Sequence, residues 1–207
     1  MVLDRAVASA QPHRGNRHGR SEAAREAILH AADDLLAEKG FAGVTVEGIA
    51  KAAGVAKQTV YRWWSSKTDV LMDAFLEDAA AELEPPDTGS LESDLRAHLR
   101  ATAHFLTVDD AGAVYRALVG QIQHDPELAQ IFRARYLDDQ RVRDQKPFVR
   151  AIARGDLTPE ADVAALAEWL VGRMHYRVIV TGEPVDDTFV DEVVDGALSM
   201  CRRWSKL

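Results

Sequence analysis

The chain has 207 residues, of which 47% are hydrophobic, and a formal net charge of −8. This content is sufficient for one or two packed domains, and the sequence contains no run of about 18 apolar residues, which excludes a membrane-spanning helix. The charged N-terminus without a long apolar segment excludes a secretory signal, and the single cysteine, Cys201, fits a cytoplasmic protein.

The negative charge is distributed unevenly along the chain. Residues 1–67 contain ten Lys and Arg and seven Asp and Glu, whereas residues 68–207 contain fifteen and twenty-six. The N-terminal third is therefore net positive in front of an acidic remainder. Ordinary surface solvation can produce such an asymmetry, but the positive part can also attract an anionic partner such as nucleic acid.

Residues 1–20 combine proline, glycine, histidine and arginine without apolar periodicity, which predicts a flexible basic arm. Two roles stay open for it: a disordered terminus, or an arm that touches phosphates or the minor groove of DNA. A first helix is predicted from Ser21, with an apolar stripe from Ile28 to Leu36 and an end at Gly40.

The segment from Gly43 to Leu71, GVTVEGIAKAAGVAKQTVYRWWSSKTDVL, carries the most information. Thr45 stands where an N-cap belongs, and Gly54 where a left-handed C-cap belongs. A second short helix is predicted from Lys57 to Trp64. Two short helices around a glycine-containing turn form a helix-turn-helix, here over residues 45–64, whose second helix can enter the major groove of DNA.

The spacing GxTxxxIAxxAGV from Gly43, followed by TxYxWWxxKxxxL from Thr59, resembles the DNA-binding domain of TetR-type transcriptional repressors. The resemblance covers residues 21–81. The chain departs from the family pattern at Trp63-Trp64, where the family usually has His or Tyr followed by Phe. Because Trp fills the same kind of core site as Phe, the resemblance still implies the family's fold.

The chemistry of the second helix suggests which residues contact DNA. Lys57 can bond guanine or phosphate, and Gln58 can pair with adenine. Hydroxyl and ammonium groups nearby can donate to phosphate oxygens, although packing is an equal alternative for Thr59 and an open one for Tyr61. The resemblance places most of these residues at DNA as well. The candidates are Thr45, Lys57, Gln58, Thr59, Tyr61, Arg62, Trp63 and Lys67.

A fourth helix is predicted from a capping box at Ser66 and Asp69 to about residue 84, where Pro85 and Pro86 stop it. Residues 85–90 then form a linker. The remainder predicts helices alone, with stripes over about 91–106 and 114–122, a helix from Asp125-Pro126 to 154 with a kink or split at Pro147, and two last helices over about 159–180 and 187–203.

The predicted fold is therefore all-α, with an N-terminal three-helix helix-turn-helix domain and a C-terminal helical domain over residues 87–207. The resemblance implies that the second domain binds a small ligand and forms a homodimer through its two last helices; burial within one subunit is the alternative for those helices. The candidate ligand-binding residues, for each of which core packing is the alternative, are Phe75, Leu99, His104, Phe105, Tyr115, Leu118, Phe148, Trp169 and His175.

Enzyme motifs such as HExxH, GxSxG, a P-loop or GxGxxG are absent, so no catalytic residue, metal site or cofactor is predicted. The leading hypothesis is a DNA-binding repressor that a small molecule releases from its operator. Two alternatives remain: a constitutive or co-repressor-dependent DNA binder, and an all-α enzyme or interaction module that merely contains a helix-turn-helix.

Overall fold

The computed structural model describes the backbone of residues 17–204 and the side chains of residues 21–204. The helices of this part are α1 (Arg17–Gly43), α2 (Val46–Ala52), α3 (Lys57–Tyr61), α4 (Lys67–Glu82), α5 (Leu91–Thr107), α6 (Asp110–Ile122), α7 (Pro126–Phe132), α8 (Asp138–Arg154), α9 (Val163–His175) and α10 (Asp187–Cys201). A π-helical turn, Arg133–Leu137, joins α7 to α8; a second, Tyr176–Thr181, follows α9; and a 3-10 turn, Arg202–Trp204, follows α10. The prediction of an all-α fold is confirmed.

The predicted arm lies mostly outside the described residues, which begin at residue 17. Its last four residues, 17–20, belong to α1, so Ser21 is not the start of that helix. Gly40 breaks α1 as predicted, because its φ of 66° lies in the left-handed region that glycine adopts without steric cost.

Short-range capping signals set the boundaries of α2 and α4. The Thr45 side chain accepts a hydrogen bond from Gly48 N at 3.0 Å, and Ser66 and Asp69 form the predicted capping box. The helix α3 is shorter than predicted, since it ends at Tyr61 rather than at Trp64. The N–H groups of Trp63 and Trp64 both bond the Val60 carbonyl at 3.0 Å, which tightens the chain into a turn.

Two predictions for the C-terminal helices differ from the structure. Of the kink or split predicted at Pro147, the split does not occur: α8 continues through Pro147 to Arg154, because loss of one backbone hydrogen bond does not end a helix whose Phe148 and Ala151 are fully buried. The interruption lies instead at the π-helical turn before α8. Residues 158–162 form turns rather than the start of α9, since Thr158 N donates to Trp204 O at 2.8 Å and Asp162 supplies the N-cap.

The buried apolar residues of the described chain form two cores. The first core joins α1–α4 to the C-terminal end of α5 and to α6 and α7. The second core joins the N-terminal part of α5 to α8, α9 and α10. The first core therefore extends past residue 81, where the sequence predicts the end of the DNA-binding domain.

The linker after α4 is fastened to α8. Lys146 Nζ lies 2.6 Å from Glu84 Oε1, and Arg150 Nη1 donates to the carbonyls of Pro85 and Pro86 at 3.1 and 2.7 Å. These contacts tie the end of α4 to the second core. Along the described chain, no helix has the length and hydropathy that crossing a membrane requires.

Candidate functional site

The turn between α2 and α3 is built by a Schellman motif. Val55 N donates to Ala50 O at 2.9 Å and Gly54 N to Lys51 O at 3.3 Å, while Gly54 has a φ of 67°. This turn fixes the direction in which α3 leaves α2. The buried Val60, on the inner side of α3, then leaves the opposite side of this helix at the surface.

That outer side of α3 presents the side chains predicted to contact DNA. Lys57, Gln58 and Tyr61 are exposed, Tyr61 by 48%, and Thr59 is partly buried. A short helix with an exposed ammonium, an amide and a phenol has the donors that base edges and phosphates accept. Thr45, at the start of α2, is also exposed, although its hydroxyl accepts the capping hydrogen bond.

The cations of this surface already have partners within the chain. Lys57 forms an ion pair with Glu47 of α2, which raises the pKa of Lys57 and lowers that of Glu47. The Arg62 guanidinium lies 4.6 Å from the Trp63 ring and 3.4 Å from Ser21 Oγ. DNA contact by Lys57 and Arg62 stays a prediction, and DNA would have to replace or share these internal contacts.

The ammonium of Lys67 has a structural role. It donates to the carbonyls of Phe41 and Val44 at 2.6 and 2.9 Å and lies 4.4 Å from the Phe41 ring. These bonds close the segment between α1 and α2 onto the start of α4. Because an ammonium has three donors, one remains for a phosphate, and DNA contact by Lys67 stays a prediction.

The two tryptophans after α3 have different surroundings. Trp64 is 4% exposed, as the resemblance implies for a core aromatic, and its Nε1 donates to Asp73 of α4 at 2.7 Å. Trp63 packs edge-on against it at 5.5 Å and is partly buried, so it is less outward than the sequence predicts. Asp73 also accepts from Arg135 in the π-helical turn at 2.5 Å, which connects this end of the helix-turn-helix to the body.

A cavity of about 240 Å³ opens between α8 and α9. A smaller hollow of about 20 Å³ lies deeper, against α5 and α6, and shares five lining residues with it: Tyr136, Gln140, Asp144, Val171 and His175. The two hollows therefore adjoin along these five side chains; the larger is called the wide part of the cavity and the smaller its inner end. The wide part is further lined by Leu137, Arg141, Gln145, Ala164, Ala167, Glu168 and Gly172, and the inner end by His98, Leu99, Thr102, Leu106, Tyr115, Leu170 and Met174.

A buried polar network surrounds the inner end. His98 Nε2 lies 2.9 Å from Asp144 Oδ1, and the Gln140 amide donates to the same oxygen at 2.7 Å. Tyr115 bonds His175, whose pKa is lowered by burial, against a smaller opposite effect of its hydrogen bond with the Val171 backbone. Burial, with the Asp144 charge as a smaller cause, raises the pKa of Tyr136. Neutral Tyr136 and His175 therefore face the cavity at neutral pH.

The predicted ligand-binding residues are distributed over several places. Leu99, Tyr115 and His175 line the inner end, while Trp169 lines a separate surface groove with Arg173 and Phe189. His104 lies outside the cavity lining, since its side chain is 63% exposed and its Nε2 lies 3.2 Å from Asp109 Oδ1. The other four predicted residues lie in the hydrophobic cores and do not line the cavity: Phe75, Phe105, Leu118 and Phe148.

Sequence reasoning missed His98, Tyr136, Gln140 and Asp144. These residues come from different helices and are distant in sequence: His98 and Asp144, for example, are 46 positions apart. A polar residue at a core position of the helical period, such as His98 between Leu95 and Leu99, is the signal that could have found them.

An aromatic cluster connects this cavity to α4. The Phe75 ring of α4 lies 4.8 Å from that of Tyr136 and 5.6 Å from that of Tyr115, both of which line the cavity. Phe75 is fully buried. A side-chain movement at the cavity wall therefore reaches α4 through direct ring contact.

The last two helices leave apolar side chains at the surface. Tyr176 and Val180, in the π-helical turn after α9, are 61% and 66% exposed. Trp169 of α9 is partly buried against α10, where a Cβ at Gly196 would meet its ring at 2.3 Å. Exposed apolar groups beside a closely packed helix pair are typical of an interaction surface.

Comparison with known proteins agrees with the helical architecture. Residues 28–74 match the family described as bacterial regulatory proteins, tetR family, and residues 85–197 match the tetracyclin repressor-like C-terminal domain. The HTH-type transcriptional regulator YdeS of Bacillus subtilis is 40% identical over 86% of this chain and 89% of its own. The DNA-binding transcriptional repressor TetR of Mycobacteroides abscessus is 29% identical over 86% of this chain and 94% of its own.

A solved structure supports the same assignment. The crystal structure of the TetR family transcription regulator SCO0332 is 35% identical, has a TM-score of 0.74, and matches 85% of this chain and 97% of its own. The helix-turn-helix, the helical body and these relatives agree over most of the length. The chain therefore belongs to the TetR family of bacterial transcriptional regulators.

Proposed function

We propose that this regulator is a homodimeric repressor that blocks transcription at an operator and dissociates when a small molecule enters the cavity between α8 and α9. The repressor role is supported by the Mycobacteroides abscessus relative, whose name gives it that activity. The cavity next to a direct contact with α4 supports release by a ligand.

On the DNA side, we assign base contact to Lys57 and Gln58, and phosphate contact to Tyr61 and Arg62. All four side chains are exposed on α3 or just after it. Thr45, Thr59, Trp63 and Lys67 are assigned to the rim of the surface, where they position the backbone. One short recognition helix binds weakly, so two copies reading half-sites about 34–36 Å apart are expected.

The dimer is assigned to α9 and α10 with the turns that follow them. The exposed Tyr176 and Val180 supply apolar area, and the partly buried Trp169 and Leu198 extend it. Pairing these helices with their symmetry mates forms a four-helix arrangement in which the same surface serves both subunits. The distance between the two α3 helices then follows from the angle between the subunits.

The coupling between ligand and DNA is carried by one observation, the contact of Phe75 in α4 with Tyr115 and Tyr136 of the cavity wall. A ligand that displaces either ring pushes on α4, which is bonded to Trp64 through Asp73. Such a ligand lowers operator affinity only by the amount that it prefers the non-binding conformation, about 1.4 kcal/mol for each tenfold change.

Cavity size favours the ligand-released repressor over a constitutive binder. A volume of about 240 Å³ is several times the share of a single water molecule, roughly 30 Å³. A regulator without a ligand has no need for a cavity of this size lined by aromatic and polar groups.

The proposal is tested by a gel shift with DNA from immediately upstream of the chain's own gene, titrated with salt. We expect a specific shift that weakens with salt and is reduced about 10- to 100-fold by Lys57→Ala, whereas Arg100→Ala, which removes an exposed cation from the body, leaves it unchanged. If genomic selection yields no bound DNA at low salt, or if Lys57→Ala and Tyr61→Ala bind as tightly as the wild type, the assigned DNA surface is wrong.

A further inference from the structure

The aromatic ring just after α3 carries a cation on its face. The Arg62 guanidinium lies 4.6 Å from the centre of the Trp63 ring, and its Nη2 donates to Ser21 Oγ of α1 at 3.4 Å. Two segments that are 41 positions apart in sequence therefore hold this guanidinium at the surface. An arginine side chain that is already held in place loses less rotamer freedom when it binds an anion.

The Trp63 ring is itself fixed by the core of the helix-turn-helix. It is partly buried and packs against the Trp64 ring, with 5.5 Å between the centres and 78° between the planes. Trp64 is 4% exposed and donates to Asp73 of α4 at 2.7 Å, so it has little freedom to move. The Trp63 N–H also bonds the Val60 carbonyl at 3.0 Å. The ring that carries Arg62 is therefore a rigid support.

Arg62 differs from the lysines of the same surface in the groups that hold it. Lys57 is paired with the Glu47 carboxylate, and Lys67 donates to two backbone carbonyls. Arg62 is held by a ring face and a hydroxyl, which carry no formal charge. A phosphate can therefore approach the charge of Arg62 without first removing a carboxylate.

Contact with a ring leaves the donors of the guanidinium usable. Arginine has five N–H groups, of which the Ser21 bond takes one. A ring face attracts the charge and the plane of the guanidinium and does not consume these donors. They are the groups that pair with phosphate oxygens. A phosphate can bind Arg62 while the Trp63 ring keeps its place beneath it.

The position of Arg62 on α3 favours a phosphate over a base edge. Arg62 is the C-cap of this helix, which begins at Lys57. In helix-turn-helix proteins the N-terminal residues of the recognition helix contact the base edges. The other end of α3 then lies nearer to the wall of the groove, where the phosphates are.

We infer that Trp63 is a positioning residue for DNA binding: its ring, together with Ser21, holds the Arg62 guanidinium ready for one phosphate. Trp63 acts through Arg62 and not by touching DNA itself. The inference rests on the proposed function, which assigns phosphate contact to Arg62 and places Trp63 at the rim. It also gives a role to the departure from the family pattern, because an indole face attracts a cation more strongly than the ring of Tyr or Phe.

The test is a double-mutant cycle on the full chain, measured by fluorescence anisotropy over a salt series. The probes are a labelled duplex from upstream of the chain's own gene and a scrambled duplex of the same length. Arg62→Ala should weaken binding to both duplexes about tenfold and lower the logarithmic salt dependence by about one, since one phosphate contact is lost. Trp63→Leu should weaken both about two- to fivefold, which is the contribution of an exposed cation–π contact.

The double variant decides whether Trp63 acts through Arg62. It should bind no more weakly than Arg62→Ala alone, because the ring has no guanidinium left to hold. Effects that multiply in the double variant overturn the inference, since Trp63 then acts on DNA directly or through the fold. Wild-type affinity of Trp63→Leu overturns it as well. Arg100→Ala, which removes an exposed cation from the body, is the control and should bind both duplexes normally.

Conservative variants separate positioning from folding. Trp63→Phe keeps an aromatic face beside Arg62 and should retain affinity within about twofold of the wild type. A loss in Trp63→Phe as large as that in Trp63→Leu contradicts a role for the ring face. Urea denaturation shows which variants are folded. If the leucine variant is not, Trp63→Met takes its place in the cycle, because the flexible methionine side chain fills gaps but has no ring.

Failure of this inference is distinguishable from failure of the proposed function. If Arg62→Ala weakens binding but Trp63→Leu does not, the phosphate contact of Arg62 stands and the positioning role of Trp63 is wrong. If Arg62→Ala binds both duplexes like the wild type, the assigned phosphate contact is wrong and the inference fails with it.

Discussion

The DNA-reading part and the ligand-binding part of this regulator are organised by interactions of different range. In the helix-turn-helix, contacts three to five residues apart decide the geometry: Thr45 caps Gly48, and Val55 bonds Ala50. In the body, the decisive contacts join distant segments, such as His98 to Asp144 and Tyr115 to His175. A pattern that is local in sequence therefore marks the first part, whereas the function of the second depends on packing.

The two parts also handle polar groups differently. The cations of the reading surface have exposed partners, so DNA can replace those partners at little cost. The polar groups at the inner end of the cavity, His98, Gln140 and Asp144, are buried, and such groups need hydrogen-bond partners inside the fold. This difference suits an exposed surface for a large polyanion and a partly buried site for a small molecule.

The largest expected effect comes from the residue that joins the two parts. Phe75 is fully buried and contacts Phe105, Tyr115 and Tyr136, so Phe75→Ala should cost about 3–5 kcal/mol of the free energy of unfolding. The measurement is urea denaturation at fixed protein concentration, followed by circular dichroism. Phe75→Leu, which retains most of the volume, should cost about 1.5 kcal/mol or less. A loss below about 1 kcal/mol for the alanine variant means that the two parts are not joined through this ring.

The second prediction concerns the polar connection between the parts. Asp73 accepts hydrogen bonds from Trp64 and Arg135, and Asp73→Ala leaves the buried indole N–H without its partner. We expect a loss of about 1.5–3 kcal/mol in the free energy of unfolding, with the tryptophan fluorescence of Trp64 shifted. Arg135→Ala is the milder comparison, because Arg135 is 46% exposed and its removal leaves the Trp64 bond intact. Equal losses in both variants would contradict a dominant role for the indole bond.

The third prediction uses an acidic cluster where α1 meets α4 and α6. Burial, and then the charges of Asp78, Asp110 and Asp34, raises the pKa of Asp33 from 3.8 to about 7. Between these values the folded chain holds a proton that the unfolded chain has released, so stability falls as the pH rises from about 4 to about 7. Asp33→Asn should therefore be more stable than the wild type at pH 8, by about 1–2 kcal/mol after allowance for solvent screening, and equal to it near pH 4.

Urea midpoints at pH 5 and pH 8 measure this difference. The matched control is Asp34→Asn, which changes the exposed neighbour on the same helix and should alter the pH dependence little. If the stability of the wild type changes between pH 5 and pH 8 to the same extent as that of both variants, Asp33 is ionised throughout this range.

The sequence predicts the two parts to different depths. The caps at Thr45 and Ser66 and the stop at Gly54 are local choices of residue type, and the structure confirms each of them. The split predicted at Pro147 does not occur in α8, because burial of the helix outweighs the loss of one backbone hydrogen bond. The cavity could not be predicted in full, since Tyr136 and Gln140 read as ordinary helical positions until α8 and α9 are packed together.

The smallest expected effect tests whether the carboxylate of Glu47 weakens DNA binding by the reading surface. Glu47 pairs with Lys57, so a phosphate must displace it, and its charge repels the DNA backbone. Glu47→Gln should tighten binding to non-specific DNA a few-fold and steepen the logarithmic salt dependence by about one. Fluorescence anisotropy over a salt series measures both quantities.

Glu38→Gln removes the same charge from an exposed pair with Lys39 on α1 and serves as the control. If Glu47→Gln instead weakens specific binding while non-specific binding stays constant, Glu47 orients Lys57 or reads a cytosine amino group directly, and the reading surface is as preorganised by its polar contacts as the cavity is.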